Sequence, residues 1–563
     1  MEKQLRTCWR RVRHASLLIV LLLCVANIAR SQSLSGRITA AENNEPLPGV
    51  SVVVKGTSQG TTTDNQGRYS LRLPSENATI VISFIGYLRQ EIAVGGRSTL
   101  DIKMAVDDRA LEEVVVVGYG TQKKVNLTGA VSTIDSKVIQ NRPSSNVANA
   151  LQGTTPGLIV TRGTGQPGGE GLNIQIRGVT TANGNVQPLV VMDGVTVPYS
   201  TLLTMNPNDV ESMSVLKDAA AAAIYGAQAA GGVILITTKK GKAGKVTFDY
   251  LAQYGTDWAI NVPERMSLLE EAEYVNLGNR NAGINPEYND FDLEQIRNNV
   301  PYVVNPADTS TYLFYNQVPL TDQILRKYTS MATHNLTVRG GTENFNFLVS
   351  GGYYGKQGVF KVGPDNNRRY NLRVNLGAKL TKHLALDALM AYTNERINQS
   401  SSGANGGGLL YQIYRLRTRT PFFTPEGRYN GAGSAASAYA ELESGGYNKL
   451  FRNYFDGTFT LRATDIVKGL TLRAVAGTQF RPENRNVFFR TVPLWGKSRI
   501  LRFHNQVNSY QVTRDLTKNL NLQFLADYNF KVGERHSFNL FGGYQWEDFR
   551  FERVFTQANN LVS

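Results

Sequence analysis

The chain reads as a mainly β protein: a small sandwich, an α+β unit, and part of an antiparallel transmembrane β-barrel. Three observations predict this. From residue 243 onward, apolar and polar side chains alternate in long runs. One run sets Leu520, Leu522, Phe524, Ala526, Tyr528 and Phe530 against Asn521, Gln523, Asp527 and Asn529. The stretches between runs are short and long by turns, and an export leader precedes everything while no long apolar run follows it. Composition agrees. With 53 glycines, 26 tyrosines and 19% charged residues, the chain suits a β protein with one wetted face better than a helical enzyme.

The leader occupies residues 1–31. Arg6, Arg10, Arg11, Arg13 and His14 form a basic start, residues 15–29 an apolar run, and Ser31-Gln32-Ser33 follows. This is the pattern of a secretory signal peptide, with cleavage expected between residues 29 and 32. The run falls short of the roughly 20 residues a spanning helix needs. Cys24 invites a lipid anchor, but Leu23 precedes it where a small residue is expected. Both cysteines, Cys8 and Cys24, lie in the leader, so the exported part holds no thiol, disulfide or cysteine-bound metal. Of the formal charge of +15, the leader carries Lys3 and five arginines against Glu2, which leaves about +10 for the rest. Those cations are scattered, which fits solvated loops and lumen better than a nucleic-acid surface.

Residues 32–106 alternate short strands with turns, among them Gly49-Val50-Ser51-Val52-Val53-Val54 and Thr79-Ile80-Val81-Ile82-Ser83-Phe84. Asp64-Asn65-Gln66-Gly67 supplies a turn with glycine at its end. The stretch from Gly56-Thr57-Ser58 to Arg68-Tyr69-Ser70-Leu71 resembles the carboxypeptidase-regulatory-like domain, a transthyretin-like sandwich. It contains no histidine, and no catalysis is expected of it.

Residues 107–124 form a linker around Leu111-Glu112-Glu113-Val114-Val115-Val116-Val117-Gly118-Tyr119-Gly120. Four valines between acids and glycines are either an ordinary buried strand or an extended segment fit for capture at another protein's sheet edge. Residues 125–242 read as α+β. Asp193-Gly194 between Leu189-Val190-Val191-Met192 and Val195-Thr196-Val197 signals a tight hairpin. Residues 210–216 are expected as a strand. Lys217-Asp218 then opens an alanine helix that Gly226 ends, and residues 232–238 close the unit as a buried strand.

Residues 243–563 hold about ten candidate strands of about 9–13 residues, close to a tilted bilayer span. Short turns at 379–383 and 532–535 contrast with long segments at 255–330 and 397–450. On this pattern Leu522 faces lipid and Gln523 faces the lumen, where an arginine should be mild.

Several motifs together resemble SusC/RagA-type TonB-linked outer-membrane transporters. They are Glu112 to Gln122, Ile174-Gln175-Ile176-Arg177-Gly178 and Pro188-Leu189-Val190-Val191-Met192-Asp193-Gly194-Val195. The longest runs from Asn206-Pro207-Asn208-Asp209-Val210-Glu211-Ser212 through Lys217-Asp218 and Tyr225-Gly226 to Lys239-Lys240-Gly241. The resemblance implies a TonB box at Glu113, Val114, Val115, Val116, Val117, Gly118 and Tyr119. It also implies a plug at residues 125–242, with motif residues Arg177, Gly178, Asp193, Gly194, Lys217, Asp218, Tyr225 and Gly226, inside a barrel of 22 strands. Ten strands do not complete such a barrel, so residues 243–563 are expected to be an incomplete barrel in an N-terminal fragment. Further implications are residence in the outer membrane of a Gram-negative bacterium and an N-terminal domain in the periplasm. The implied partners are TonB, a SusD-like lid lipoprotein, membrane lipid, and an oligosaccharide or oligopeptide cargo, with siderophore or cobalamin less favoured.

Other chemistry is weak. Gly163-Thr164-Gly165-Gln166-Pro167-Gly168 fits a dinucleotide fingerprint by letter, but a strand rather than a helix follows. His334, His383, His504 and His536 lack metal-ligand spacing, and no nucleophile–base set stands out, so no cofactor, metal, nucleic acid or enzyme activity is expected. Tyr411, Tyr414, Phe422 and Phe423 are candidates for stacking on sugar, with a girdle or loop core as the plainer reading. A secreted β-rich adhesin is the alternative from a different class.

Overall fold

The structure, a computed structural model, describes residues 32–561 except 58, 76–77, 85–86, 106–113, 118–119, 124–130, 141, 143, 145, 164, 169–171, 179–185, 261–262, 402–405, 416, 433–434 and 534–535. The expected leader, and Glu113, Gly118 and Tyr119 of the valine-rich segment, therefore lie outside the described residues. The chain divides into two units.

The first unit contains the sandwich. One sheet orders Arg68–Leu73, Gln32–Ala40 and Ile102–Met104, and the other orders Gly60–Thr62, Ser51–Val54, Thr79–Ser83 and Gln90–Ala93. Arg68–Leu73 alternates exposed and buried positions along its length. Its inward side chains join Leu34, Ile38, Val50, Val52, Ile80 and Ile82 in one core. The Tyr69 hydroxyl donates to the Leu100 carbonyl at 2.8 Å, and burial pushes its pKa up to about 12. After the sandwich, Val114–Val117 is a short strand in a two-stranded sheet with Gly120–Lys123.

The second unit holds an α+β body and a large sheet. The body's sheet orders Val131–Asp135, Val210–Leu216, Val233–Thr238, Leu189–Met192 and Val195–Val197. Leu158–Arg162 and Leu172–Ile176 form a separate hairpin, so a strand follows the glycine-rich loop at 163–168. The alanine helix is shorter than its composition promises: Ala219–Ala222 is α-helical, and a 3₁₀ stretch, Ala223–Ala229, carries the chain past Gly226. At Gly226, φ of 61° and ψ of −149° are non-helical, so the helical run ends there in a kink, as expected of that glycine, and a second short turn follows.

The large sheet has nine antiparallel strands among the described residues, each paired with the next in sequence. They are Gly244–Asp257, Thr329–Gly341, Phe345–Gln357, Asn366–Lys379, Leu384–Gln399, Gly446–Thr464, Leu470–Phe489, Ser509–Val532 and His536–Asn559. Connections alternate between the two ends of the sheet: residues 342–344, 380–383, 465–469 and 533–535 at one, and 258–328, 358–365, 400–445 and 490–508 at the other. The strands run from 13 to 24 residues, longer than the 9–13 expected. Backbone pairing needs no apolar face, so the ladder continues into polar stretches such as Arg485 opposite Thr513.

The two faces differ sharply. On the eighth strand Phe524 is 60% exposed, while Asn521 and Gln523 are 0% and 1% exposed. Phe248, Tyr370, Leu372, Phe455, Phe459, Tyr544 and Trp546 share the outer, apolar side. The polar side touches the α+β body at both ends of the sheet: Gln253 of the first strand donates to the Gln140 carbonyl at 3.2 Å, and Gln523 of the eighth to that of Gly194 at 3.0 Å. A sheet that meets one body from its first strand and its eighth must curl around it. No helix among the described residues is long and apolar enough to cross a membrane, which says nothing about strands.

The long connections have a core of their own, including Leu320, Ile324, Phe360, Ile413, Phe422 and Leu442. Phe422 is fully buried there, 4.9 Å from the Tyr439 ring, and Phe423 stacks on Tyr429 at 5.6 Å. Of the four candidate stacking residues these two are loop core. Tyr414 is half-buried, and Tyr411 is exposed with Arg415 over its ring. Arg417 and Arg419 both pair with Glu287, joining residues 400–445 to 258–328. In the 358–365 connection, Asp365 accepts the Phe360 N–H at 3.0 Å, and burial raises its pKa from 3.8 to about 6. Its other oxygen is buried without a hydrogen bond among the described residues.

Two expectations follow. Leu522 lies on the lipid side, so Leu522→Arg should cost about 2–4 kcal/mol near the bilayer midplane, read as loss of folded protein in urea titrations of the lipid-embedded chain. Because the folded state holds the Asp365 proton more tightly than the unfolded chain, its contribution to stability is complete below the ordinary carboxyl value and is lost as pH rises through about 6. Amide exchange at Phe360 should therefore quicken between pH 4 and 6.5, by rough estimate from that linkage, and Asp365→Asn should remove the dependence.

Candidate functional site: a body seated in the lumen

The α+β body is held by short polar side chains on the wet face of the wall. Asn206, Pro207, Asn208 and Asp209 build the central contact. The Asn206 side chain accepts the Asn208 N–H at 3.0 Å and so caps the 3₁₀ turn Pro207–Asp209, with proline at its first position. Its Nδ2 donates outward to Asn335 Oδ1 of the second strand at 2.7 Å. Asp209 accepts the Ser350 hydroxyl at 2.7 Å and Arg373 Nε at 3.2 Å. Both members of that ion pair are about 95% buried.

Around this centre the wall donates to backbone carbonyls. Arg369 reaches Leu203, Asn371 reaches Thr204 and Asn375 reaches Lys239, in order down the fourth strand. Gln399 reaches Pro167 at 3.1 Å and Gln479 reaches Thr196 at 3.3 Å. Two wall glycines permit the approach. A Cβ at Gly352 would meet Asn206 Nδ2 at 2.6 Å, and one at Gly477 would meet Val195 Cγ1 at 2.6 Å. Both clashes argue for glycine by lack of space rather than by backbone angle.

Toward the long connections, the same wet face becomes a charged ladder. Arg452 bonds Glu395 at 2.8 Å and lies 3.5 Å from Glu483, whose carboxylate also accepts the Tyr454 hydroxyl. Arg481 makes two bonds to Asp456, at 2.9 and 2.8 Å. Arg553 makes two to Asp515, at 2.7 and 2.8 Å. No metal-binding group of acids and histidines occurs among the described residues.

Family comparisons match this layout. Residues 34–116 match the CarboxypepD_reg-like domain and residues 123–233 the TonB-dependent Receptor Plug Domain. The TonB-dependent receptor P26 of Formosa agariphila is 30% identical over 552 residues, covering 96% of this chain and 51% of its own length. SusC of Bacteroides thetaiotaomicron is 34% identical over 406 residues, 69% of this chain and 37% of its own. The solved RagAB peptide importer in its 'open-open' state aligns over 80% of this chain and 50% of its own with a TM-score of 0.65, at 21% identity, a likeness of fold. The chain belongs to the SusC/RagA-type family of TonB-dependent receptors. It spans about half the length of the curated relatives that it matches over nearly its whole extent.

In this receptor the body is the plug, and the expected motif residues take up turns and caps within it. Asp193 and Gly194 have φ of 50° and 86°, a primed hairpin turn. The Asp193 carboxylate accepts the Thr238 N–H and hydroxyl at 3.0 and 2.7 Å, and Gly194 offers its carbonyl to Gln523. Gln523 is on the lumen side as expected but is buried against the plug, so the expected mildness of arginine there is corrected: a longer cation has to displace the hairpin tip. Arg177 and Gly178 also lie at positive φ, and the Arg177 N–H donates to the Gly157 carbonyl. Lys217 donates to Thr155 Oγ1 at 3.0 Å and to the Pro156 carbonyl at 2.6 Å, and burial lowers its pKa. Asp218 caps the alanine helix through the Ala221 N–H. Tyr225 is half-buried against the Val233 side of the sheet. Asn206 and Asp209, which bind the wall, were visible only as part of a longer motif.

Truncating Asp209→Ala leaves Arg373 buried without its carboxylate, which costs about 3–5 kcal/mol. In planar bilayers the variant receptor should show frequent ion-conducting openings where the parent is closed.

Proposed function

We propose that the receptor imports a bulky nutrient across the outer membrane of a Gram-negative bacterium, energised by TonB. Oligosaccharide is the first reading for the cargo and oligopeptide the second; siderophore or cobalamin ranks behind both. On this reading residues 1–31 are the leader and residues 32–106 a periplasmic sandwich. Residues 107–124 carry the TonB box, residues 125–242 are the plug, and residues 243–563 belong to the barrel wall.

One observation carries the proposal: a folded plug fills the wet side of the wall and is held mainly by single side-chain bonds to its backbone carbonyls. Each such bond contributes about 1 kcal/mol net. A pull from the periplasm can break them in sequence while the wall's backbone ladder stays intact. Cargo entering from the long-connection end meets the charged ladder before the plug, and a SusD-like lipoprotein is the proposed lid above it. The peptide-importer description of RagAB supports the oligopeptide reading.

The box at Glu113, Val114, Val115, Val116, Val117, Gly118 and Tyr119 is the proposed grip. Val114–Val117 is extended, the conformation in which strand addition to TonB works through backbone bonds. Val115→Pro removes one ladder donor. It should abolish energised uptake of labelled oligosaccharide or oligopeptide by cells while the receptor's amount in outer membranes stays unchanged. Uptake at the parent rate would contradict this box.

A further inference from the structure

The outward face of the wall carries two cations side by side with no acid to balance them. Arg368 of the fourth strand lies directly opposite Arg396 of the fifth. Their sequence neighbours Arg369 and Glu395 are buried on the wet side, so Arg368 and Arg396 point outward, and both are exposed. Like charges directly opposite each other, with Cβ atoms about 5 Å apart, destabilise a sheet. Neither arginine forms a hydrogen bond or ion pair among the described residues. On their other sides Arg368 faces Gly355 and Arg396 faces Phe451. Strands three to seven carry four acids, Asp387, Glu395, Asp456 and Glu483, and all four lie on the wet face, where arginines engage them. Lys449 of the sixth strand, diagonal to Arg396, adds a third outward cation over the Tyr447 ring. All three strands have wall on both sides, away from the first and last strands.

The height of this patch says what it meets. Two residues along from Arg368, about 7 Å, Tyr370 belongs to an aromatic row on the outward face. Its ring lies 5.3 Å from that of Tyr353, and Tyr392 lies 4.6 Å from Phe455. Such a row marks the edge of the hydrocarbon. The arginines stand beyond it, toward connections 358–365 and 400–445, at the level of lipid headgroups. We propose that Arg368 and Arg396, with Lys449 beside them, hold the phosphate of an outer-leaflet lipid whose acyl chains lie along Leu372, Tyr392 and Phe455. Two planar guanidinium forks on adjacent strands match the oxygens of one phosphate, and a phosphate monoester brings the charge that the pair lacks. The inference rests on the proposed outer-membrane placement with the long connections outside, and it turns general contact with membrane lipid into a headgroup site.

Native mass spectrometry of the whole receptor, stripped of lipid in detergent, tests this. The probes are monophosphoryl lipid A and the same lipid with its phosphate removed. The phosphorylated lipid should bind at least about tenfold tighter, since charge-assisted bonds are worth that much or more. Excess inorganic phosphate should leave that advantage in place, because the acyl chains hold the lipid on the apolar face. The double variant Arg368→Gln with Arg396→Gln should bring the phosphorylated lipid down to the level of the other. It should leave the dephosphorylated lipid's affinity alone, which also shows that the variant is folded. Lys518→Gln, which removes an outward cation already paired with Glu552, should change neither affinity. Equal binding of the two lipids, no binding of the phosphorylated one, an equal loss in the Lys518 variant, or an advantage abolished by inorganic phosphate would overturn the proposal. So would a second receptor copy bound in place of lipid and lost in the double variant. Leu522→Arg tests the lipid-facing side by itself, so a wall that does not meet lipid is distinguishable from one that meets it and ignores its phosphate.

Discussion

The buried pair between Asp209 of the plug and Arg373 of the wall is the contact around which the rest is arranged. A wall in hydrocarbon presents apolar side chains outward, so its inner face is left polar. A plug inside it cannot be held by greasy packing against that face and must be held by hydrogen bonds. Ion pairs that are nearly dry stabilise little in net terms, but breaking one by removing a partner is costly. That asymmetry fixes register: the plug sits where Arg373 finds Asp209, and a shift would strand both charges. Asn206 with Asn335 and Ser350 with Asp209 repeat the same instruction on the two strands alongside.

From that anchor the wall divides its wet face by height. Beside the plug, asparagine, glutamine and arginine donate to plug carbonyls, and glycines at 352 and 477 make room for them. Above it the same face carries paired charges, Arg452 with Glu395 and Arg481 with Asp456, which stiffen the strands across their rungs. Beyond that, the long connections fold on each other through Phe422, Phe360 and the Glu287 pairs rather than on the wall alone. The result is a wall with a plug seated against its wet face and a band of paired charges above it.

Much of this was legible in the chain because the physics is local. Two-residue alternation placed Leu522 and Gln523 on opposite faces, and short turns alternating with long segments gave the order of the wall. Asp193-Gly194 announced its primed turn because few other pairs tolerate positive φ twice. What was not legible depends on partners far along the chain. Nothing near Gln523 says that its amide meets a carbonyl 329 residues away, so lumen and plug contact looked alike. Strand ends were misjudged because apolar patterning stops at the membrane while backbone pairing does not. The plug motif drew attention to glycines, an aspartate cap and Lys217, which shape the plug itself. The wall-binding Asn206 and Asp209 sat in the same motif with no local mark of their task. For Phe422 the sequence left cargo stacking open beside the plainer reading of girdle or loop core, and its burial beside Tyr439 places it in the loop core.

The most direct measurement is a cross-link between plug and wall. Both native cysteines lie at positions 8 and 24, in the expected leader, so paired replacements Asn206→Cys and Asn335→Cys introduce a clean probe. Treated with a short bismaleimide in intact outer membranes, the pair should join in nearly every molecule, while Asn206→Cys with a cysteine at the lipid-facing Leu336 should not. Equal cross-linking of the two pairs, or none in the first, would mean that the plug is not seated on the wet face of this wall.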